Sequence, residues 1–243
     1  VSLSPEGGAH QSSVTASIGM EVPGIEYFEP AFGAEVEWIL LDAIARLREP
    51  GPGLGVYLRL STVPVQQELL PGAFRGSESG RRRHREGVLR GGYRIVDGRD
   101  TAEYEPEENV VHIFAIGAVV PEAMRASELL KARGIAANVF VVTSPGRLYR
   151  DFVATRKALE AGAPPVESVL EQLLDSSERG APVVTVADAS SHALAFIGAA
   201  FSGKSVPLGV DKFGESGSRF DLYRTMRIDA DAIVRAAEAA LAE

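Results

Sequence analysis

The sequence predicts an α/β protein made of two three-layer α/β/α units, the second built on a mainly parallel sheet. Three observations predict it. From Val110 onward, short runs of β-branched and aromatic residues alternate with amphipathic segments of helical period. A strand–helix–strand unit lies upstream of them, between Ile25 and Leu60. Between the two, from Pro64 to Glu108, the chain turns glycine-rich and strongly charged.

Val1 to Pro23 reads as loop, with Gly7-Gly8, Ser12-Ser13 and Pro23-Gly24. So long an open stretch rarely precedes a first strand, and the expectation is that an earlier part of the domain is missing. Ile25 to Phe28 reads as a strand, and Pro30 suits a first helical position. Val36, Ile39, Leu40, Ala43 and Leu47 keep the helical period until Glu49-Pro50 stops it. A Gly51-Pro52-Gly53 turn then leads into a strand at Val56 to Leu60.

The 64–108 stretch carries Gly72, Gly76, Gly80, Gly91 and Gly92, the basic run Arg81-Arg82-Arg83-His84-Arg85, and the acidic Glu103, Glu105, Glu107 and Glu108. It is expected to be a connection with one short strand near Tyr93 to Val96, the basic run being a solvated face. Beyond it, strands are expected at Val110 to Ile116, Val139 to Val142, Val183 to Val186 and Val206 to Val210. Helices are expected from Pro121 to a Gly134 stop, over Leu148 to Leu159, Val166 to Leu174 and Ser191 to Ala200, and from an Asp229 cap to Leu241.

Composition narrows the function. The chain has 243 residues, 45% hydrophobic and 24% charged, enough to bury a core. A formal net charge of −8 argues against binding nucleic acid or an anionic membrane surface. The absence of cysteine excludes disulfides, a thiolate nucleophile and Cys-ligated metals. No apolar run approaches the ~20 residues that span a bilayer, and no secretory signal opens the chain. A soluble, cytoplasmic protein is expected.

Gly198 to Ser205 fits the phosphate-loop pattern G-x-x-x-x-G-K-[ST]. That chemistry needs a strand before the first glycine and a helix after the lysine. Here a helical segment precedes, and Pro207 sits in a strand-like run behind, so a helix end and glycine turn is the better reading. His10, His84, His112 and His192 contain no i, i+4 pair for a helical metal site. His112 reads as a sheet residue and His192 as a helix-start residue. His10 lies in Ser4-Pro5-Glu6-Gly7-Gly8-Ala9-His10-Gln11, where glycines let backbone approach a ligand and a carboxylate sits four residues from an imidazole.

Glu6-Gly7-Gly8-Ala9-His10-Gln11, Pro23-Gly24-Ile25-Glu26-Tyr27-Phe28-Glu29-Pro30-Ala31 and Tyr57-Leu58-Arg59-Leu60-Ser61-Thr62 resemble the pyrimidine-binding domain of the transketolase superfamily, in its homodimeric pyruvate dehydrogenase-like branch. Val142-Thr143-Ser144-Pro145-Gly146 and Leu208 to Gly217 are similar to the C-terminal domain of the same enzymes. The resemblance implies that residues 1–63 are the remainder of a pyrimidine-binding domain, 64–108 a linker, and 109–243 a transketolase-like C-terminal domain. It implies thiamine diphosphate and magnesium, bound mainly by parts outside this chain, and a small 2-oxo acid as substrate. His10 is then expected to meet substrate or intermediate as a proton donor or hydrogen-bond partner, with Glu6 in the same network. A homodimer or an upstream partner subunit, and a dihydrolipoyl acyltransferase, are the implied partners.

The sequence lacks the Gly-Asp-Gly and following asparagine of the family's diphosphate–metal motif, and the resemblance implies that the activating glutamate is to be expected before Val1. The isolated chain is therefore expected to be inactive. Three other readings remain open. They are two-carbon transfer between sugar phosphates, a noncatalytic interaction module, and a phosphate-binding protein using Gly198 to Ser205.

Overall fold

The computed structural model describes residues 1–48, 55–101 and 103–242. The expected helix stop at Glu49-Pro50 and the turn at Gly51 to Gly53 lie outside them.

The first segment is not the loop expected. It holds two 3-10 turns, Ser4–Glu6 and Gly8–His10, and helix α1 (Thr15–Glu21). α1 escapes a periodicity reading because its buried face is made of small residues, Ala16 and Gly19. A Cβ on Gly19 would stand 2.8 Å from the Tyr57 ring and 2.9 Å from that of Tyr27, so contact with two tyrosines replaces the usual apolar stripe. Strand β1 (Ile25–Phe28) follows as read.

Helix α2 spans Gly33–Arg46, later than the Pro30 start expected. Glu35 sets the boundary. Its Oε2 reaches back to accept from the backbone N–H of Ala31 at 2.6 Å and of Phe32 at 2.9 Å, the N3-to-cap bond that places the N-cap at Phe32. Strand β2 (Gly55–Leu58) pairs with β1 in parallel, Ile25 opposite Gly55 and Phe28 opposite Leu58.

The 64–108 stretch differs most from expectation. It contains helices α3 (Gly72–Arg75) and α4 (Glu78–Arg90) before strand β3 (Gly92–Val96). Ser77 caps α4 by accepting from the Gly80 N–H at 3.0 Å, and Gly91, at φ 113°, ends it in the left-handed region. Gly80, His84 and Val88 form its buried stripe, two of them residues that carry no apolar signal. His84 thus leaves the solvated basic face and is buried instead, ringed by Trp38, Phe74 and Tyr93 at centroid distances of 4.8, 4.8 and 4.5 Å.

The second sheet has the order β3-β5-β4-β6-β7, using β4 (Val110–Ile116), β5 (Ala136–Val142), β6 (Val183–Val186) and β7 (Ser205–Leu208). Only β3, at the edge, runs antiparallel. Every residue of β4 and β5 is buried, as expected of strands covered on both faces. Val111, Ile113, Val139 and Val141 face one core, with Ala123, Ala126 and Leu130 of α5 (Val120–Lys131). Phe114, Ile116, Phe140 and Val142 face the other, with Leu148 of α6 (Pro145–Glu160) and Leu194 of α7 (His192–Ala195).

Val166 to Leu174, expected as a helix, keeps only a 3-10 turn at Glu171–Leu173, entered through a reciprocal Ser168–Glu171 bond. The helix expected through Ala200 breaks into α7 and a 3-10 turn, Phe196–Ala200, while α8 (Arg219–Thr225) had no counterpart in the sequence reading. Asp229 caps α9 (Ala230–Ala242) as read, its Oδ1 accepting from the Ala232 N–H at 3.2 Å. α9 packs beside α5, with Ile233, Val234 and Ala237 in the first core. Among the described residues no helix is long and apolar enough to cross a membrane.

One polar network interrupts the apolar sheet. His112 Nε2 donates to the Glu178 carbonyl at 2.8 Å, and its Nδ1 accepts from Asn138 Nδ2 at 3.2 Å, which fixes the neutral tautomer. Burial holds the imidazole down at about 4, below its ordinary 6.5. Although burial pushes the Glu178 carboxyl up, hydrogen bonds from Arg94 and Tyr104 outweigh it and hold the group at about 2, against an ordinary 4.5. The unfolded chain therefore binds more protons than the native one, on His112 between pH 6.5 and 4 and on Glu178 between pH 4.5 and 2. Stability is full above about pH 6.5 and falls as the solution is acidified through both windows. His112→Gln, which keeps a donor but cannot titrate, should lower stability at neutral pH by about 1 kcal/mol and flatten the slope between pH 6.5 and 4. Urea midpoints across that range check this, and an unchanged slope contradicts it.

Candidate active site

The Ser4 to His10 loop has backbone only glycine adopts easily. Gly7 lies at φ 81°, ψ 177°. A Cβ there would stand 2.6 Å from Ser216 Oγ, and one on Gly8 would stand 2.3 Å from both the Gly214 carbonyl oxygen and the Phe213 ring. The two glycines thus let this loop lie against 211–217. Gln11 Nε2 ties the pair, donating to the carbonyls of Leu3 at 3.3 Å and Glu215 at 3.0 Å. So held, His10 is exposed and forms part of the wall of a cleft of about 190 Å³, with Thr15, Glu29, Arg59, Thr62 and Asp188. Glu6 is exposed and stands outside that wall.

The cleft floor is built from residues that follow parallel strands. Glu29 comes directly after β1, Arg59 directly after β2, and Ala118 and Asp188 shortly after β4 and β6. Ligands of open parallel sheets collect at these carboxyl ends. Glu29 is buried, and its carboxylate accepts from the Tyr27 hydroxyl and from Arg59 Nη1 at 2.6 Å. Gly117 makes room for it, since a Cβ there would approach Glu29 Oε1 to 2.6 Å. The other two Arg59 nitrogens are also engaged. Nε reaches Thr15 Oγ1 at 3.2 Å and Nη2 the Asp188 carbonyl at 2.7 Å. Asp188 Oδ2 in turn accepts from the Ser2 N–H at 2.7 Å.

Burial pushes the Glu29 carboxyl up, while Arg59 pulls it down, and burial wins. Burial and the adjacent Glu29 together push the Tyr27 phenol well above its usual range. Burial disfavours the Arg59 charge, yet Glu29 and Tyr27 more than restore it. The result is an exposed imidazole beside a carboxyl with a raised pKa and several hydroxyls. That set can bind a small polar molecule and hold or deliver a proton.

Among the described residues no group of three or more His, Asp or Glu side chains is placed to hold a metal ion. The cleft is also smaller than the roughly 300–1,000 Å³ of sites that enclose a whole drug-sized ligand or cofactor. These residues therefore do not fit a complete metal–diphosphate site.

The other histidines stand apart from the cleft wall. His84 and His112 are core residues, and His192 Nε2 bonds Ser17 Oγ at 2.8 Å, linking α7 to α1. Gly198 to Ser205 follows the reversed order already expected, a 3-10 turn leading into β7, so that a strand and not a helix directly follows Lys204. Its glycines serve packing, since a Cβ on Gly203 would stand 2.2 Å from the Ala181 carbonyl oxygen.

Of the two site residues read from sequence, the structure brings His10 to the cleft and leaves Glu6 beside it. Sequence reasoning missed Tyr27, Glu29, Arg59 and Asp188. For the last three the available signal was a charged residue immediately behind an apolar parallel strand.

A family model described as a transketolase-like TK C-terminal domain matches residues 91–229. Over 99% of its length the chain is 33% identical to the pyruvate dehydrogenase E1 component of Mycobacterium tuberculosis, of which it covers 24%. It is 27% identical over its whole length to a chromosomal transketolase of Cupriavidus necator, covering 30% of that protein. It thus spans about a quarter of the length of the relatives it matches. Among solved structures, transketolase of Pichia stipitis superposes over 99% of the chain with a TM-score of 0.69 at 19% identity, covering 29% of that enzyme. A split-gene transketolase, described as an inactive beta4 tetramer, superposes over 97% of the chain with a TM-score of 0.59 at 20% identity, covering 63% of its own chain.

The Glu29–Arg59 pair yields a stability prediction. Arg59→Met should cost about 3–5 kcal/mol, because a buried carboxylate loses its counter-charge. Adding Glu29→Gln to Arg59→Met should recover more than half of that cost. Chemical denaturation of the two single variants and the double variant measures the coupling, and additive losses would remove the pair from its central role.

Proposed function

Because this chain belongs to the transketolase-like C-terminal domain family, we propose that it forms part of a thiamine-diphosphate-dependent 2-oxo acid dehydrogenase, a pyruvate dehydrogenase-like decarboxylating oxidoreductase. It contributes a half-site loop and the C-terminal domain. The observation that carries this reading is His10, held in a cleft wall by a glycine-dependent loop, in a chain 33% identical over 99% of its length to a pyruvate dehydrogenase E1 component. In this reading residues 1–63 are the remainder of a pyrimidine-binding domain and 109–243 the C-terminal domain. The intervening segment supplies α3, α4 and the edge strand β3.

Thiamine diphosphate with magnesium supplies the carbanion chemistry when bound, held by parts other than the described residues. The residues present here orient the substrate and manage protons. His10 donates a proton or hydrogen bond to the substrate oxygen. Glu29, Arg59 and the hydroxyls shape the wall behind it, and Glu6 belongs to the same network as His10 in this reading.

A small 2-oxo acid is favoured over a sugar phosphate. Among the described residues of the cleft wall Arg59 is the only one with a guanidinium or ammonium side chain, and Glu29, Thr15 and the Asp188 carbonyl already engage its three nitrogens. A phosphate would therefore meet no open cation there.

The assembly is a homodimer or a complex with an upstream subunit, placed in the cytoplasm, with a dihydrolipoyl acyltransferase as downstream partner. Two features support a companion chain. The β1–β2 sheet has two strands, and α2 leaves Leu40, Leu41, Ile44 and Leu47 exposed beside it, Leu47 at 72%. The split-gene transketolase of the same fold, described as inactive, supports inactivity of this chain alone.

Two experiments test the reading. Calorimetry of the isolated chain with thiamine diphosphate and magnesium should show no binding in the micromolar range, and tight binding would contradict the split site. In the assembled enzyme, His10→Ala should lower turnover by roughly 10²–10⁴-fold, the range for a positioned proton-transfer group, with cofactor affinity little changed. Near-normal steady-state rates would remove His10 from the site.

A further inference from the structure

The basic run read in the sequence as a solvated connection lies on α4, a helix capped at both ends and fixed along one side. Gly80, His84 and Val88 turn inward, and Arg81, Arg82, Arg83 and Arg85 are all exposed. Capping and burial hold the backbone in place, so the four guanidinium groups fan from a rigid base rather than a flexible chain. Their charge is scarcely neutralised. Arg82 meets Glu86 at 4.0 Å with its side chain 75% exposed, and no ion pair to Arg81, Arg83 or Arg85 forms among the described residues. Arg75 of α3, just upstream, is exposed as well. The whole chain carries a formal −8, so this concentrated positive face stands out against an acidic molecule.

We propose that the arginine face of α4 is a docking surface for a short carboxylate-rich segment of a protein partner. Exposed single pairs contribute little, but several like charges spread round the exposed side of one helix, with Arg81, Arg82 and Arg85 within about 100° of one another, raise association rates and select partners by charge. The planar forks of arginine suit carboxylates in bidentate geometry. The extent of the patch favours protein over nucleic acid. Arg81 to Arg85 rise only about 6 Å along the helix, enough for a few carboxylates. A longer phosphate track would continue onto a surface of the same sign as itself. This inference does not depend on the proposed catalytic role.

The test uses the full chain and a fluorescent peptide of repeated Glu-Glu-Ala, followed by anisotropy at low and physiological salt. Saturable binding is expected, weakening as salt rises. It should drop at least about tenfold when Arg81→Gln, Arg82→Gln, Arg83→Gln and Arg85→Gln are combined, with an unchanged thermal midpoint. The pair Arg82→Gln and Arg85→Gln should show an intermediate loss and decides the matter if the fourfold variant unfolds. Arg133→Gln, at an exposed site on another face, should bind as the original does. The proposal is overturned by absent binding, by affinity that survives these substitutions, or by an equal loss in Arg133→Gln. It is equally overturned by tighter binding of a single-stranded oligonucleotide of matching charge, which would assign the face to nucleic acid.

Discussion

The ion pair between Glu29 and Arg59 is the joint on which the rest of this molecule depends. Each residue stands just past the end of a strand in the two-stranded sheet, so the pair locks β1 to β2 at the end where the cleft opens. The other nitrogens of the same guanidinium reach Thr15 at the start of α1 and the Asp188 carbonyl beyond β6. One side chain therefore connects the small sheet, the first helix and the large sheet. A buried charge is tolerated only when paired and hydrogen-bonded. Here the pairing also decides where the cleft floor lies.

A second constraint comes from the middle of the large sheet. β4 and β5 are apolar on both faces and need cover on both. α5 and α9 supply it on one side, and α6 and α7 on the other. The small sheet joins this body through its own strand. The Glu29 N–H donates to the Thr143 carbonyl at 2.8 Å, Ser144 Oγ donates to the Tyr27 carbonyl at 2.6 Å, and Arg147 pairs with Glu26 at 2.8 Å. These contacts place β1 against the β5–α6 turn. The His10 loop is then held from the opposite side by 211–217, through two glycines and the Gln11 amide. The cleft is thus a seam between two parts of the chain rather than a hollow within either.

That seam explains why the site is partial in chemical terms. Its wall offers an imidazole, hydroxyls and a carboxyl whose proton affinity is raised by burial, which are the means to position a small substrate and move protons. The described residues offer no metal-ligand cluster, and this cleft, at about 190 Å³, is smaller than a cofactor-sized site. The chain spans about a quarter of the length of the relatives it matches.

Periodicity and turn chemistry in the sequence determined the α/β class, the strands at Ile25–Phe28, Val110–Ile116 and Val183–Val186, and the Asp229 cap, because these are local properties of the chain. The Glu6 to Gln11 loop was legible for a related reason: paired glycines beside a histidine mark backbone that must come close to something. Only the tertiary structure decided the rest. α1 and α4 were hidden because they bury Ala16, Gly19, Gly80 and His84, whose reason for being buried is a distant aromatic partner and not their own apolarity. His84 passes from a charged run to an aromatic box once Trp38, Phe74 and Tyr93 converge on it. Glu29, Arg59 and Asp188 are ordinary charges in sequence, separated by up to 159 residues. They become one buried network because parallel strands bring their carboxyl ends to the same edge, and no local pattern in the chain encodes that meeting.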